Sequence, residues 1–374
     1  MNFEPTDEQR MFQKLARDFA DREIEPIADQ LDREGVIPPD MLKKMANVGL
    51  LGMTVPEKYG GLGIGWLTFI LVTEQIHYPC TACTWLLLCN GLSELLLRYG
   101  TEEQRLEYLP PMIAGDTLPS AAFTEPATGS DPAMLTTTAR LDNGYWIING
   151  TKRFHTWGHL HGPAVIFAKT DGDNLSAIMV PKNTPGYSWS KPWNLLGVRG
   201  LETVDTFCRD VRVPEKNLVG ERGKAFAILD YMTSGGKQQI AIRSVACGQR
   251  ALDEAIKYAK ERTTRKGPIA NMQGHRWLLA EMASRVEASR WLTYRAAFLK
   301  EQKKDSRVET AMAKLFAGQA GEWVASQALQ IHGAYGYTTE YKIERIYRAA
   351  KQSEIAEGVN EMQRSIVGAA LVRD

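Results

Sequence analysis

The stretch that decides the fold lies near the C-terminus, at residues 330–364, and reads QIHGAYGYTTEYKIERIYRAAKQSEIAEGVNEMQR. A glycine-rich turn at residues 333–336 precedes a charged segment with helical spacing and then a lone acid beside a glycine, Glu357 and Gly358. A polar set that begins at Asn360 has the composition of a first helical turn. Taken alone, an acid ahead of a helix is most often a solvated residue that favours the helix N-terminus, so a role for Glu357 depends on the rest of the chain.

Composition indicates an ordinary globular protein with more than one domain. The 374 residues exceed what one hydrophobic core usually contains, so two or three domains are expected. The 45 basic and 44 acidic residues nearly cancel, which gives no electrostatic reason to expect nucleic acid or an anionic membrane as a partner. We interpret the five cysteines, which lack paired metal-ligand spacing, as reduced cytosolic thiols.

No segment has the pattern of an export signal or a membrane span. The N-terminal residues, MNFEPTDEQR, are acidic and polar, whereas a secretory signal has a basic start and an apolar run. The most apolar stretch, residues 85–97, is interrupted by polar residues and is shorter than the about 20 residues that span a bilayer. The sequence therefore predicts a cytoplasmic protein without membrane insertion, in which residues 85–97 form a buried helix.

Three zones of different texture follow one another and predict an α+β fold. Residues 1–115 are predicted to form an N-terminal helical domain, which a capping-box pattern at Thr6 and Gln9 begins. Residues 116–222 contain short β-branched and aromatic runs between turn signals, which predicts a small β-barrel-like domain. Residues 223–374 return to helical spacing and predict a four-helix bundle. Two apolar stripes are expected to pack in it: Val245, Gly248, Leu252, Ala255 and Ala259, and Met312, Phe316, Ala320 and Trp323.

Eight sequence blocks in this order resemble the acyl-CoA dehydrogenase family of flavoproteins, essentially from end to end. One block alone is a weak match, but eight in sequence make chance agreement improbable. The blocks are FTEPATGSD (123–131), NGTKRFHTWG (149–158), LGVRG (196–200), DVRVPEKNLVGERGKAF (210–226), ALDEAIKYAKER (251–262), ETAMAKLFA (309–317), QIHGAYGY (330–337) and EGVNEMQR (357–364).

The resemblance implies FAD as cofactor and a set of residues that hold it. Phe154 would lie against the flavin ring, and Thr156 would lie near flavin N5. Arg262 and Gln273 match positions that bind the pyrophosphate and adenosine from a neighbouring subunit, which implies a homo-oligomer, in this family usually a tetramer built from two dimers. The segment of Gln330, Gly333 and Ala334 is implied to contact the same pyrophosphate across the dimer interface. The remaining residues implied to bind FAD are Phe123, Thr124, Gly129, Ser130, Val359 and Glu361.

The resemblance also assigns the chemistry to Glu357. This residue falls on the family's catalytic glutamate, and Gly236 occupies the position where some members carry the base instead. Glu357 would abstract the α-proton of an acyl-CoA thioester while the β-hydrogen leaves as hydride to flavin N5, which gives an enoyl-CoA. Such a base needs a desolvated carboxylate whose pKa is raised toward neutrality.

Several departures from the family pattern concern the substrate. Ala356 replaces a common tyrosine, which enlarges the cavity beside the reacting carbons and predicts a branched, cyclic or bulky acyl group. Lys237 replaces an arginine on the helix that faces coenzyme A, and Arg243 stands where small residues are common. The residues implied to contact substrate are Ser130, Lys237, Ala356 and Gly358. For Trp85 and Asn90, which could also line the pocket, we favour a purely structural role in a buried helix.

Three functions stay open at this point. The leading one is a dehydrogenase that passes electrons to an electron-transfer flavoprotein. The second keeps the fold and FAD but is an enoyl-CoA reductase, or a carrier-protein thioester dehydrogenase or oxidase. The third is a non-enzymatic relative whose flavin site has decayed at Arg265, Lys266 and Val359. No metal site is predicted, because the closely spaced His155, His159 and His161 lack a matching cluster of further ligands.

Overall fold

A computed structural model describes residues 4–372, so the first three residues of the N-terminal segment and the last two of the chain lie outside the described residues. The N-terminal part is helical, as predicted. Thr6 caps the first helix and exchanges hydrogen bonds with Gln9, so the predicted capping box is confirmed, and Thr101 and Gln104 form the same arrangement at α6. The helices of this part are α1 (Asp7–Phe19), α2 (Ala28–Glu34), α3 (Met41–Asn47), α4 (Trp66–His77), α5 (Leu88–Tyr99) and α6 (Glu102–Ile113).

The apolar stretch at residues 85–97 is buried, but its first residues are not α-helical. A 3-10 turn, Cys83–Leu87, leads directly into α5. No helix between residues 4 and 372 combines the length and the apolar character that crossing a membrane requires.

The middle part is an eight-stranded sheet in the order β6-β7-β3-β2-β4-β5-β8, with β1 paired to β4. Strand β3 runs antiparallel to β7, and its register is broken between Lys152 and His155. Phe154 lies in this irregularity with φ +55°, which turns its ring out of the sheet. The strands are β1 (Ser120–Ala122), β2 (Thr138–Asp142), β3 (Tyr145–Thr156), β4 (Pro163–Asp171), β5 (Asn174–Pro181), β6 (Tyr187–Trp189), β7 (Thr203–Pro214) and β8 (Leu218–Val219).

The C-terminal part consists of long helices and a short hairpin. The helices are α7 (Ala225–Glu261), α8 (Gln273–Glu301), α9 (Arg307–His332), α10 (Lys342–Ala350), α11 (Gln352–Ile355) and α12 (Asn360–Leu371), and the hairpin is β9 (Thr263–Thr264) with β10 (Gly267–Pro268). The domain boundaries proposed after residues 115 and 222 lie in connections between elements and remain a proposal.

One predicted stripe of the bundle is buried and the other is buried only in part. All five residues of the α7 stripe are buried, as predicted. In the α9 stripe Ala320 is buried and Trp323 packs against the core, as predicted, but Phe316 remains 37% exposed. Ala313, Ala317 and Gly321 of α9 turn inward instead. The reason is the close approach of α9 to α7: a Cβ on Gly321 would lie 2.7 Å from the Ser244 carbonyl oxygen, so large side chains cannot occupy this side.

Candidate active site

A cavity of about 520 Å³ opens between α5, α7, the ends of β1 and β3, and the loop that joins α11 to α12. It brings together residues that are more than 200 positions apart in the sequence, such as Thr124 and Glu357. The sequence-predicted site residues that line it are Phe123, Thr124, Gly129, Ser130, Phe154, Thr156, Ala356, Glu357, Gly358 and Val359.

Glu357 projects from a loop that is fixed on both sides. Lys314, fully buried in α9, donates from Nζ to the Glu354 carbonyl oxygen and to Asn360 Oδ1, each at 3.0 Å. Glu357 itself has φ +54°, a strained value for a residue with a side chain. Such a conformation persists only where the surroundings impose it. The sequence analysis missed Lys314, although a lysine within the small apolar run AMAKLFA was an available signal.

The structure rules out the interpretation of Glu357 as a helix cap. Helix α12 begins at Asn360, its N-cap is Val359, and no side chain caps it. Burial raises the pKa of the Glu357 carboxyl above its ordinary value of 4.5, although the cations of Lys237, Arg243 and Lys314 act in the opposite direction. A carboxylate in this environment binds a proton more readily than one in water.

Helix α7 contacts the Glu357 carboxyl through a residue without a side chain. A Cβ on Gly236 would lie 2.6 Å from the carboxyl carbon of Glu357 and 3.1 Å from its Cγ. Residues 236 and 357, the two positions at which the family pattern allows a base, therefore face the same space. Any larger residue at 236 would displace the acid.

Unpaired hydroxyls and an exposed ring characterise the opposite wall. The side chains of Thr124, Ser130 and Thr156 form no hydrogen bond with another residue in the described part of the chain, and Phe154 keeps 55% of its surface exposed. Flat aromatic surface with a few polar groups is typical of cofactor sites. These residues fit the ring and polar edge of a flavin.

A buried ion pair anchors the segment that carries Thr124. Lys152 Nζ lies 2.8 Å from Glu125 Oε1, and both side chains are 1% exposed. The carboxylate also accepts from the backbone N–H groups of Thr136 and Thr137. Although burial alone raises the pKa of Glu125, Lys152 and these hydrogen bonds bring it down to about 2. Sequence reasoning missed this pair, since its members are separate positions within two different blocks.

Other predicted residues do not line this cavity. Lys237, next to Gly236, lines a neighbouring cavity of about 930 Å³. Glu361 is exposed and pairs with Arg364 at 2.8 Å. The residues predicted to bind FAD across a subunit interface are exposed in the single chain, and their role stays a prediction; they are Arg262, Gln273, Gln330, Gly333 and Ala334.

Trp85 and Asn90 differ in their roles. Trp85 is buried, as predicted, with 5% of its surface exposed, and it also lines the cavity. Asn90 is structural, as favoured: it is buried, accepts from the Met53 N–H at 2.9 Å and donates to the Leu50 carbonyl at 2.8 Å.

The histidines take part in ordinary hydrogen bonds. His155 is buried, and its Nε2 lies 2.8 Å from Ser120 Oγ. His159 Nε2 lies 3.5 Å from Glu202. Among residues 4–372 no group of three or more His, Cys, Asp or Glu side chains is placed to hold a metal ion.

Comparison with known proteins gives the same family for all three parts of the chain. The family models for the acyl-CoA dehydrogenase N-terminal, middle and C-terminal domains match residues 6–116, 120–211 and 226–372. The acryloyl-CoA reductase (NADH) of Anaerotignum propionicum is 39% identical over 100% of this chain and 96% of its own length.

Two solved structures superpose over the whole of both chains. Butyryl-CoA dehydrogenase from Megasphaera elsdenii has a TM-score of 0.97 at 32% identity, with 100% of each chain covered. A structure that concerns the electron transferring flavoprotein of Acidaminococcus fermentans and flavin-based electron bifurcation has a TM-score of 0.97 at 34% identity, again with 100% of each chain covered.

Fold and site thus define a flavin-dependent oxidoreductase. The chain belongs to the acyl-CoA dehydrogenase family, with FAD as cofactor and an acyl-CoA as substrate.

Proposed function

We propose that this protein desaturates an acyl-CoA thioester to the α,β-enoyl-CoA, with Glu357 as the base that removes the α-proton. The observation that carries this proposal is the Glu357 carboxyl, which lines the cavity, has a pKa raised by burial and contacts no hydrogen-bond donor in residues 4–372. When bound, FAD supplies the redox chemistry by accepting the β-hydrogen as hydride at N5. The protein contributes position, exclusion of water and the proton acceptor.

The loop of Glu357 also offers a donor for the thioester oxygen. The Glu357 backbone N–H lies in a non-helical segment and donates to no acceptor in the described chain. As the α-proton leaves, negative charge develops on the thioester oxygen, and a fixed N–H directed at it is worth about 3 kcal/mol. We infer that this N–H is one oxyanion donor; a ribityl hydroxyl of FAD, when bound, would supply a second.

The 930 Å³ cavity beside Lys237 suits the coenzyme A part of the substrate. Besides Lys237 it is lined by Lys300, Lys304 and Arg307, which can pair with phosphate groups. Gly236 lines the catalytic cavity and the adjacent Lys237 lines the other, so the acyl end and the coenzyme end would lie on different sides of the same turn of α7. Ser130, at the edge of the catalytic cavity, would contact the substrate between them.

We propose a branched, cyclic or bulky acyl group. Ala356 and Gly358 line the cavity on either side of the base, and neither fills the space beside the reacting carbons. The test is a panel of straight, branched and cyclic acyl-CoAs mixed anaerobically with the holoenzyme and scored by bleaching of the flavin. A clear advantage for straight butyryl-CoA or octanoyl-CoA would contradict the bulky-group proposal, and absence of bleaching by every member would contradict the dehydrogenase itself.

A second candidate is reduction of an enoyl-CoA, which the 39% identity to an acryloyl-CoA reductase favours. We propose an electron-transfer flavoprotein as partner, on the basis of the similar flavin-bifurcation structure. Assays with the oxidised and with the reduced form of this partner distinguish oxidation of an acyl-CoA from reduction of an enoyl-CoA. Peroxide release in air would instead indicate an oxidase. Turnover of a carrier-bound thioester but not of a coenzyme A thioester would indicate a carrier-protein enzyme. Failure to bind FAD would indicate a non-enzymatic relative. The tetramer and the cytoplasmic location remain predictions; light scattering of the purified holoenzyme tests the former.

A further inference from the structure

One wall of the catalytic cavity carries hydrogen-bond donors that lack acceptors. Trp85 and Gln239 line the cavity and are 5% and 2% exposed. The indole Nε1 of Trp85 has no hydrogen-bond partner in the described chain. Behind them lies Arg243, 2% exposed, with its guanidinium carbon 4.3 Å from the centroid of the Trp85 ring and its Nε also without a partner.

Arg243 determines how the Gln239 amide is oriented. Its Nη2 donates to Gln239 Oε1 at 3.3 Å and to the Thr84 carbonyl oxygen at 3.2 Å. Because a guanidinium has donors only, the amide oxygen of Gln239 must face it, and the amide nitrogen must face away. A Cβ on Gly91, which also lines the cavity, would lie 3.1 Å from this amide nitrogen. The nitrogen donates to no acceptor between residues 4 and 372.

The charge behind this wall is not neutralised locally. Arg243 forms no ion pair with any carboxylate of the described residues, and Glu357 is the acid that acts on it from a distance. Burial lowers the pKa of Arg243 to about 9, so the side chain stays cationic at neutral pH. His77 adds no charge, since burial and then Arg243 hold its pKa well below the ordinary value. A buried donor without an acceptor is unfavourable, and an acceptor on a ligand in the cavity would relieve this cost at the Gln239 amide nitrogen.

We propose, building on the function proposed above, that the acyl group ends in a carboxylate that accepts a hydrogen bond from the Gln239 amide nitrogen. Arg243 acts as a positioning residue that orients Gln239 and supplies positive charge. Gln239 follows Gly236, which contacts the base, by three residues of α7. Gln239 therefore lies about one helical turn from the residue that contacts the base, which places the carboxylate beyond the α-carbon and away from Glu357.

The decisive experiment measures binding without turnover. Non-oxidisable thioether analogues of one acyl length, ending in a carboxylate, a hydroxyl or a methyl group, are titrated calorimetrically into the oxidised holoenzyme. We expect the carboxylate to bind about ten- to hundred-fold more tightly than the methyl analogue. Gln239→Leu and Arg243→Met should abolish this preference, and Arg243→Lys should keep part of it. Equal binding of the three analogues, or a hydroxyl analogue that matches the carboxylate, overturns the proposal.

The chain offers two control variants. Gln238 is equally buried on α7 but donates to the Ala296 carbonyl and to Thr310, away from the cavity, so Gln238→Leu should leave the preference unchanged. Trp85→Phe should also leave it unchanged, because the indole Nε1 is closed off from the cavity. An unchanged preference in Gln239→Leu refutes the assignment. Flavin bleaching separates the two claims: tight carboxylate binding without bleaching by any thioester refutes the dehydrogenase, whereas bleaching without carboxylate preference refutes only this inference.

Discussion

Moving the acid from residue 357 to residue 236 should restore part of the activity that its removal abolishes. A positioned base contributes about 10²–10⁴-fold, so Glu357→Gly should slow flavin reduction by at least about a hundred-fold. Because a Cβ on Gly236 would lie 2.6 Å from the present carboxyl carbon, a glutamate at 236 reaches the same space once Glu357 is gone. We expect the double variant Gly236→Glu/Glu357→Gly to regain about ten-fold or more over Glu357→Gly, since base catalysis returns in an imperfect geometry.

The assay is stopped-flow bleaching of the flavin at saturating acyl-CoA without oxygen. Gly236→Gln/Glu357→Gly is the matched control, because it has the same size and no base. Glycine at 357 is compatible with the fold, since φ +54° is a value that glycine adopts without strain. If the double variant binds FAD and thioester normally but bleaches no faster than this control, the two positions do not share the reacting space and the reasoning fails.

Three further predictions follow from buried charges. Because burial raises the pKa of Glu357 above 4.5, its ionisation destabilises the fold as pH rises past that value, so Glu357→Gln should raise Tm at alkaline pH and lose this advantage in acid. Thermal unfolding across pH checks this, and an advantage confined to acid would contradict it. Lys152→Met should cost about 3–5 kcal/mol in denaturant unfolding by leaving the Glu125 carboxylate buried and unpaired, and adding Glu125→Gln should recover much of the loss. Lys314→Met should lower kcat about ten- to hundred-fold by freeing the Glu357 loop, with bound flavin unchanged. Parallel loss of flavin would instead indicate general unfolding.

Local features of this protein were predictable because they depend on neighbours in the sequence. The capping boxes at Thr6 and Thr101 need only side chains three residues apart, and both are present. The apolar face of α7 followed from helical spacing alone, since that helix is buried along much of its length. The α9 face was predicted only in part, because the contact of α9 with α7 is set by small residues, which hydrophobic periodicity does not register.

The linear order of residues determined the succession of helices, sheet and helices, the family, and the acid that carries the proposed chemistry. Tertiary structure alone decided what surrounds that acid. Lys314 of α9 anchors the loop that carries Glu357, Gly236 of α7 contacts the Glu357 carboxyl, and Arg243 lies behind the cavity wall. Desolvation and charge act through space over a few ångströms, and residues more than 100 positions apart contribute to both, so no local pattern could reveal the raised pKa of Glu357 or the unpaired donors.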